Sequence, residues 1–440
     1  MNRQERIDLA QWAVDCAKKY GANQVAVSIS NQRTIEIEFR DKQLDKLMES
    51  TRNSLGMELY VDQRYSSHST NDLKKSSLDS FMKEAIAGTK YLTRDEYRLL
   101  PDPKYYPEKM DGELEICDHS YGDIESSKRV QMAAEIEAAA MAQSDKIIST
   151  TSGYTDNYGE AVQVHSNGFL GEKESTQFSV WAEVTVMDED RGRPEDWFEA
   201  TVRYHQDLPG PEIIGRNAAQ RALRKIGQDK MDSGRYNMIV ENRAGSRLIG
   251  MLLSPMSARA LQQKNSYLEN RIGEKIVSEK MTLIDDPFIQ KGLGSRFFDG
   301  EGIAAKKRVM IEKGVLKTYY IDNYYGRKLG MEPNSGSSSN LIFEYGSKSM
   351  EEMIQGLDKG IVITGFIGGN SNSTTGDFSF GIVGLLVEKG KIIRAVNEMN
   401  ISGNGKTFWN QLVDMGNDPY PYSSQRIPSM LFEGVQFSGI

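Results

Sequence analysis

The sequence predicts an α+β protein in two parts: an N-terminal region of helices and strands over residues 1–228, and a C-terminal, mostly antiparallel β domain over 229–440. Three observations predict it. At 440 residues the chain exceeds what one ordinary core accommodates. Its first half places apolar residues at helical spacing between segments that alternate like strands. Its second half is dense in strands and turns, and two of its stretches echo each other: "RVMIEKGVLKTYYID" at 308–322 and "GLLVEKGKIIRAV" at 384–396. Each reads as a strand, a tight turn at Glu-Lys-Gly and a second strand, with the Gly supplying the positive φ that such a turn needs.

Taken in order, residues 5–20 predict an amphipathic helix, with Ile7, Ala10, Val14 and Ala17 on one side and Gly21 as its stop. Strands are predicted at 24–30, 33–39 and 54–70. Ser76 or Ser77 then caps a helix running to about Tyr91. A Pro-rich linker, "LLPDPKYYPEKMDGE" at 99–113, offers a sub-boundary within the first part. An Ala-rich, well-capped helix covers 125–143, strands follow at 161–168, 176–188 and 196–205, and a further helix spans 211–227 between Pro211 and Gly227. In the second part a strand at 235–241 leads into an apolar helix at 245–263 that contains Pro255. A helix at 405–415 precedes a last strand at 428–439.

Composition narrows the function. The net charge is −8, with acids and bases interspersed, which argues against nucleic acid, because phosphate neutralisation supplies most non-specific affinity. No window holds the roughly 18 consecutive apolar residues of a membrane span. Asp8, Gln11, Asp15 and Lys18 interrupt the N-terminus before it could form an apolar signal core, so the expected location is cytoplasmic. Cys16 and Cys117 stand far apart and belong to no CxxC pair, which predicts two buried, reduced thiols.

The chain announces no catalytic constellation. No two of His68, His119, His165 and His205 lie within five residues, so there is neither HExxH nor a helical His pair. "NISGNGKT" at 400–407 fails as a phosphate loop because Asn400 stands where Gly is required, and "GLGSRFFDGEG" at 292–302 lacks the third Gly of a dinucleotide fingerprint. "SFMK" at 80–83 satisfies Ser-x-x-Lys on an amphipathic helix, without a KTG partner. Two segments are richer in turn residues than scaffolding needs: "GFIGGNSNSTTGDFSFGIVG" at 365–384, whose Gly, Ser, Thr and Asn allow close backbone approach and many hydrogen bonds, and "NEMNISGNGKTFWNQLVDMGND" at 397–418, where a Gly-rich turn opens a helix.

Several motifs taken in order resemble the TldD/PmbA family. They are "GMELYVDQRYSSHST" near the start, then "GEKIVSEKMTLIDDP" and "GLGSRFFDGEG", then "TTGDFSFG" followed by "GLLVEKGKI", "ISGN", "MGND" and the final "PSMLFEGVQFSG". The match runs over most of the chain. Members have been described as modulators of DNA gyrase and as subunits of a metalloprotease. The resemblance implies a heterodimer in which a TldD-type subunit holds zinc with HExxxH on a helix and a Cys near its C-terminus, the Glu acting as general base on a metal-bound water. A PmbA (TldE)-type subunit lacks these groups and completes the cleft.

In this chain the six HExxxH positions fall near Ile249–Ser254 and read "IGMLLS"; the Cys region falls within 419–429 and offers Ser423 and Ser424. Leu, Ile and Met give no donor suited to a hydrolytic zinc. The resemblance therefore implies a PmbA/TldE-type subunit with no metal of its own, zinc being expected in a TldD-like partner. Family members pair, which leaves a homodimer of the isolated chain open beside the heterodimer. The expected substrates are peptides or unfolded segments. The catalytic residues are unassigned; the candidate peptide-binding loop comprises Gly368, Gly369, Asn370, Thr375, Gly376, Asp377 and Ser379. Asp377 is expected to orient the loop or receive a substrate amine, and Thr375 and Ser379 to offer hydrogen bonds. A regulatory adaptor without peptidase activity is the second reading.

Overall fold

A computed structural model describes residues 1–110, 112–189 and 192–439 and gives an α+β architecture. The first part is α1 (Arg3–Lys19), β1 (Gln24–Arg40), β2 (Gln43–Val61), β3 (Arg64–Thr70), α2 (Lys75–Thr89), α3 (Ser126–Met141), β4 (Ile147–His165), β5 (Leu170–Val186), β6 (Glu195–Val202) and α4 (Pro211–Leu223). Its six strands form one antiparallel sheet in the order β3-β2-β1-β4-β5-β6. Alternation along β1 decides which face is covered. Val25, Val27 and Ile29 pack with α1 and α2, and Ile35 and Ile37, at the same parity further along, pack with α3 and α4.

This sheet corrects several expectations. The strands predicted at 24–30 and 33–39 are one continuous strand, and the segment predicted as one strand at 54–70 is two. Both hairpins turn on non-Gly pairs at positive φ, Asp41-Lys42 (51° and 60°) and Asp62-Gln63 (47° and 64°). They are two-residue turns whose twist suits the flanking strands, and they lack the Gly that signals such turns in a sequence. The caps differ too. Lys74 and Glu125 stand at the N-caps of α2 and α3 without a side-chain cap bond, whereas Asn2 and Glu5 form a capping box on α1. The helix predicted over 211–227 ends at Leu223.

The second part continues with β7 (Gly234–Val240), α5 (Ser246–Leu253), α6 (Ala258–Gln262), β8 (Leu283–Asp286), β9 (Arg308–Glu312), β10 (Val315–Leu316), α7 (Asn323–Leu329), β11 (Asn340–Phe343), α8 (Met350–Gln355), β12 (Lys359–Ser371), β13 (Asp377–Glu388), β14 (Lys391–Asn404), α9 (Gly405–Phe408), β15 (Leu412–Met415), β16 (Gln425–Arg426) and β17 (Met430–Ser438). Strands run in the order β14-β13-β12-β7-β17-β15, and a further pairing of β14 with β17 closes five of them into a ring. A smaller sheet has the order β10-β9-β8-β11-β16. Pairing is mostly antiparallel; β12 beside β7 and β16 beside β11 are the parallel neighbours.

The two Glu-Lys-Gly turns adopt the expected form, and in each the Lys as well as the Gly has positive φ: 45° and 82° at Lys313-Gly314, 49° and 73° at Lys389-Gly390. The second strand of the first hairpin is only Val315–Leu316. The helix expected at 405–415 is the short α9 and one 3-10 turn, after which Leu412–Met415 joins the sheet beside β17. The helix expected at 245–263 is interrupted. Pro255 lies in a 3-10 turn over Ser254–Met256, between α5 and α6. A Pro there removes one helical hydrogen bond and crowds the preceding turn.

Candidate functional site

The seven candidate loop residues lie on the β12–β13 hairpin, which is more regular than a long loop. β12 pairs with β13 from Lys359↔Glu388 out to Ser371↔Phe378, and only Asn372–Gly376 form the tip. Gly368 and Gly369 are a bulge at φ 64° and 84°. A Cβ on Gly369 would stand 2.1 Å from the Ser379 carbonyl oxygen, so the bulge admits no side chain there. Asn370 and Ser379 face each other across the ladder, both exposed.

At the tip the polar groups satisfy one another. Asn372 Oδ1 accepts from the Thr374 and Thr375 amides at 2.9 and 3.3 Å. Asn404, at the end of β14, donates to the Thr375 carbonyl at 3.0 Å and to the Asp377 carboxylate at 2.7 Å. The Asn404 amide, and then the Thr375 hydroxyl, hold the Asp377 carboxyl below its ordinary range. Thr375, Gly376 and Asp377 are thus brought together, while Gly368, Gly369, Asn370 and Ser379 lie further along the ladder. Nothing in this geometry marks Asp377 as an acid–base group.

The hairpin also presents a free edge. β12 lies beside β7 only through Gly360–Ile363; from Thr364 onward, among the described residues, its outer edge has no strand partner. That edge borders a cleft of about 280 Å³ lined by Asp196 and Trp197 of β6, Arg221 of α4, Lys225, Arg243, Arg247 of α5 and residues 364–367. Arg221 donates to the Thr364 carbonyl at 3.1 Å, and Arg247 to the Gly369 carbonyl at 2.7 Å. Arg243 is half-buried, with its guanidinium 4.6 Å from the Trp197 ring centre, 4.7 Å from Phe198 and 5.6 Å from Tyr420. Burial presses its pKa down. Sequence reading missed this cleft because its side chains come from four separated segments. The one local signal is Arg247, a cation in the otherwise apolar "GSRLIGMLL".

The segment near Ile249–Ser254, where the resemblance would place a zinc helix, offers no side chains that fit zinc. Ile249, Met251 and Leu252 are buried in the core of the second part, Gly250 has no side chain, and Ser254 is exposed. Ser423 Oγ accepts from the Gln425 amide at 3.1 Å, and the Ser424 carbonyl accepts from the Leu341 amide at 2.8 Å, so both serve the β11–β16 pairing. Among the described residues one group of metal-competent donors gathers elsewhere: Cys117, His119 and Glu174, with ligand atoms within 4.8 Å of one another. There the thiol donates to Glu174 at 3.4 Å, and burial pushes its pKa up to about 12.

Three family models match successive segments: PmbA/TldA metallopeptidase domain 1 over residues 25–88, the central domain over 119–226 and the C-terminal domain over 233–439. The chain is 27% identical to the metalloprotease PmbA of Escherichia coli O157:H7 over 94% of its own length and 92% of that protein. It is 43% identical to a Bacteroides thetaiotaomicron protein, whose crystal structure is named as that of a candidate modulator of DNA gyrase, with TM-score 0.97 and complete coverage of both chains. TldE of Thermococcus kodakarensis shares the fold at TM-score 0.87, with 20% identity over 98% of this chain and 100% of that one. A chain with this fold, matched by all three domain models and alignable with PmbA over nearly its whole length, belongs to the PmbA/TldD metallopeptidase family.

Proposed function

We propose that this chain is the PmbA/TldE-type subunit of a cytoplasmic TldD-type zinc metallopeptidase, and that it binds peptide and shapes the cleft while the partner supplies zinc and chemistry. The observation that carries this is α5. Where a zinc-bearing subunit would place donors, Ile249, Met251 and Leu252 pack into the core. Hydrolysis by zinc needs lone-pair donors at about 2.0–2.3 Å and an open fourth position, and this helix offers neither. The free edge of β12 from Thr364 onward supports a binding role, since an extended peptide can add there as a strand through main-chain hydrogen bonds.

Co-purification with a TldD-like partner from the same cell tests this. Peptide cleavage and about one zinc per heterodimer, present only in the mixture, is the expected result. Zinc at α5 together with cleavage by the isolated chain would overturn it, and a mixture that neither associates nor cleaves would favour an adaptor role.

A further inference from the structure

The cleft beside the free edge of β12 holds cations without matching carboxylates. Arg221 is satisfied by Glu241 and Asp196, at 2.8 and 3.3 Å, and Lys225 shares Asp196 at 3.1 Å. Arg243 and Arg247 have no carboxylate at ion-pair distance among the described residues; each donates to a backbone carbonyl, Arg243 to Trp197 at 3.1 Å and Arg247 to Gly369 at 2.7 Å. In a chain of net charge −8, two arginines without an ion-pair partner lining one cleft are a local reversal of sign.

Both arginines are held in place. The aromatic rings of Trp197, Phe198 and Tyr420 surround the Arg243 guanidinium. Arg247 lies 4.8 Å from the Phe380 ring centre while its hydrogen bond fixes it to the β12 bulge. A guanidinium anchored in this way loses little conformational freedom on binding, and its planar fork matches a carboxylate. A volume of about 280 Å³ suits a side chain or a chain terminus better than a polyanion.

We propose that this cleft binds a carboxylate of the peptide, with Arg243 and Arg247 as its ligands, so that the subunit selects peptides presenting a C-terminal carboxylate or an acidic side chain next to the β12 edge. The proposal rests on the peptide-binding reading above and adds the substrate class. The peptide main chain would run along residues 364–369 while its carboxylate turns toward Arg243. No bond is made or broken at this site.

The test uses the full-length chain, alone and mixed with a TldD-like partner, and three rhodamine-labelled hexapeptides of Ala and Gln: one ending in a free carboxylate, one amidated, and one amidated with a single Asp. Fluorescence anisotropy at low salt should show at least one carboxylate-bearing probe binding about tenfold or more tighter than the neutral amidated one, and which of the two does so identifies the source. Arg247→Gln, at an exposed position that leaves the core intact, should reduce that ratio at least about fivefold, and Arg243→Gln should do the same. Equal affinity for all three probes, or a ratio that survives both substitutions, would overturn the carboxylate site and leave peptide binding standing. Failure of every probe to bind the chain or the mixture would instead remove the peptide-binding reading beneath it.

Discussion

Arg221 Nη1 lies 2.8 Å from both carboxylate oxygens of Glu241, and both residues are 7% exposed. The contact joins α4 of the first part to the residue that follows β7 in the second. Glu241→Ala leaves a buried guanidinium with Asp196 as its remaining carboxylate beside the Thr364 carbonyl, and removing one partner of a buried pair typically costs about 3–5 kcal/mol. The midpoint of urea denaturation should fall accordingly, while Glu241→Ala combined with Arg221→Met recovers most of the loss. A single substitution without effect on the midpoint would show that the pair does not hold the two parts together.

Acid stability should depend on His165. Its ring is 3% exposed, Nε2 lies 2.9 Å from the Gln163 amide, and burial lowers its pKa from 6.5 to about 4. The unfolded chain therefore binds this proton first. The stability it contributes is fully present above pH 6.5 and is lost as pH falls toward 4, a loss on the order of 3 kcal/mol. Burial raises Glu301 from 4.5 to about 7, which works the other way, since the folded state takes that proton first and gains stability as pH falls from 7 to 4.5. His165→Gln should flatten the acid limb of the stability profile, and Glu301→Gln should steepen it. Identical profiles in both variants would contradict these assignments.

The two glycines of the β12 bulge separate conformation from space. Gly368 has positive φ but no neighbour for an added Cβ within 4 Å, so Gly368→Ala should cost only the left-handed backbone term of about 1–2 kcal/mol. Gly369→Ala adds a clash with the Ser379 carbonyl oxygen and should cost distinctly more, with the hairpin displaced. Thermal melts, together with amide exchange of residues 364–381, check both. Equal costs would mean that the bulge relaxes freely.

Both cysteines should react slowly in the folded protein. Cys16 is 9% exposed with its pKa pushed up to about 11 by burial and the Asp79 hydrogen bond; Cys117 is 7% exposed and reaches about 12. At pH 8 the thiolate fraction is then at least about a hundredfold below that of an ordinary cysteine, and the thiolate is the nucleophile. Mass spectrometry after iodoacetamide treatment should find little adduct until urea is added. Rapid native labelling of Cys117 would place its thiol in solvent.

Much of this architecture was legible because local chemistry dictates it. Lys313-Gly314 and Lys389-Gly390 turn where the Gly announces a turn, and α1, α3 and α4 follow their apolar stripes. What escaped has particular causes. The stretch "QLDKLMESTRN" at 43–53 forms a strand whose side chains are almost all exposed, so no alternation of buried and exposed residues marks it. Asp41-Lys42 and Asp62-Gln63 turn without Gly. The hairpin at 365–384 stood out by composition, yet the cleft beside it depends on Trp197, Arg221 and Arg243, whose meeting only the packing of α4 and β6 against the barrel creates.

The metal motif that the resemblance implies for a TldD-type partner should not be transferable to α5 by exchanging side chains alone. Ile249 faces the core at 0% exposure, while Ser254 is exposed beyond the last turn of α5. Ile249→His would bury an imidazole among Leu248, Leu252 and the rest of the core without a partner, costing about 2–5 kcal/mol in lost packing and desolvation. The triple variant Ile249→His, Gly250→Glu, Ser254→His should therefore be less stable and still take up no stoichiometric zinc at α5, because its first ligand points inward and the C-terminal segment presents Ser423 and Ser424 in place of a thiolate. Metal analysis after dialysis against zinc, with Cys117→Ser introduced to remove the donor group at Glu174, reads the result directly. One tightly held zinc per chain in that background would show that α5 can turn its buried face outward, and the reading of α5 as a packing element would fail.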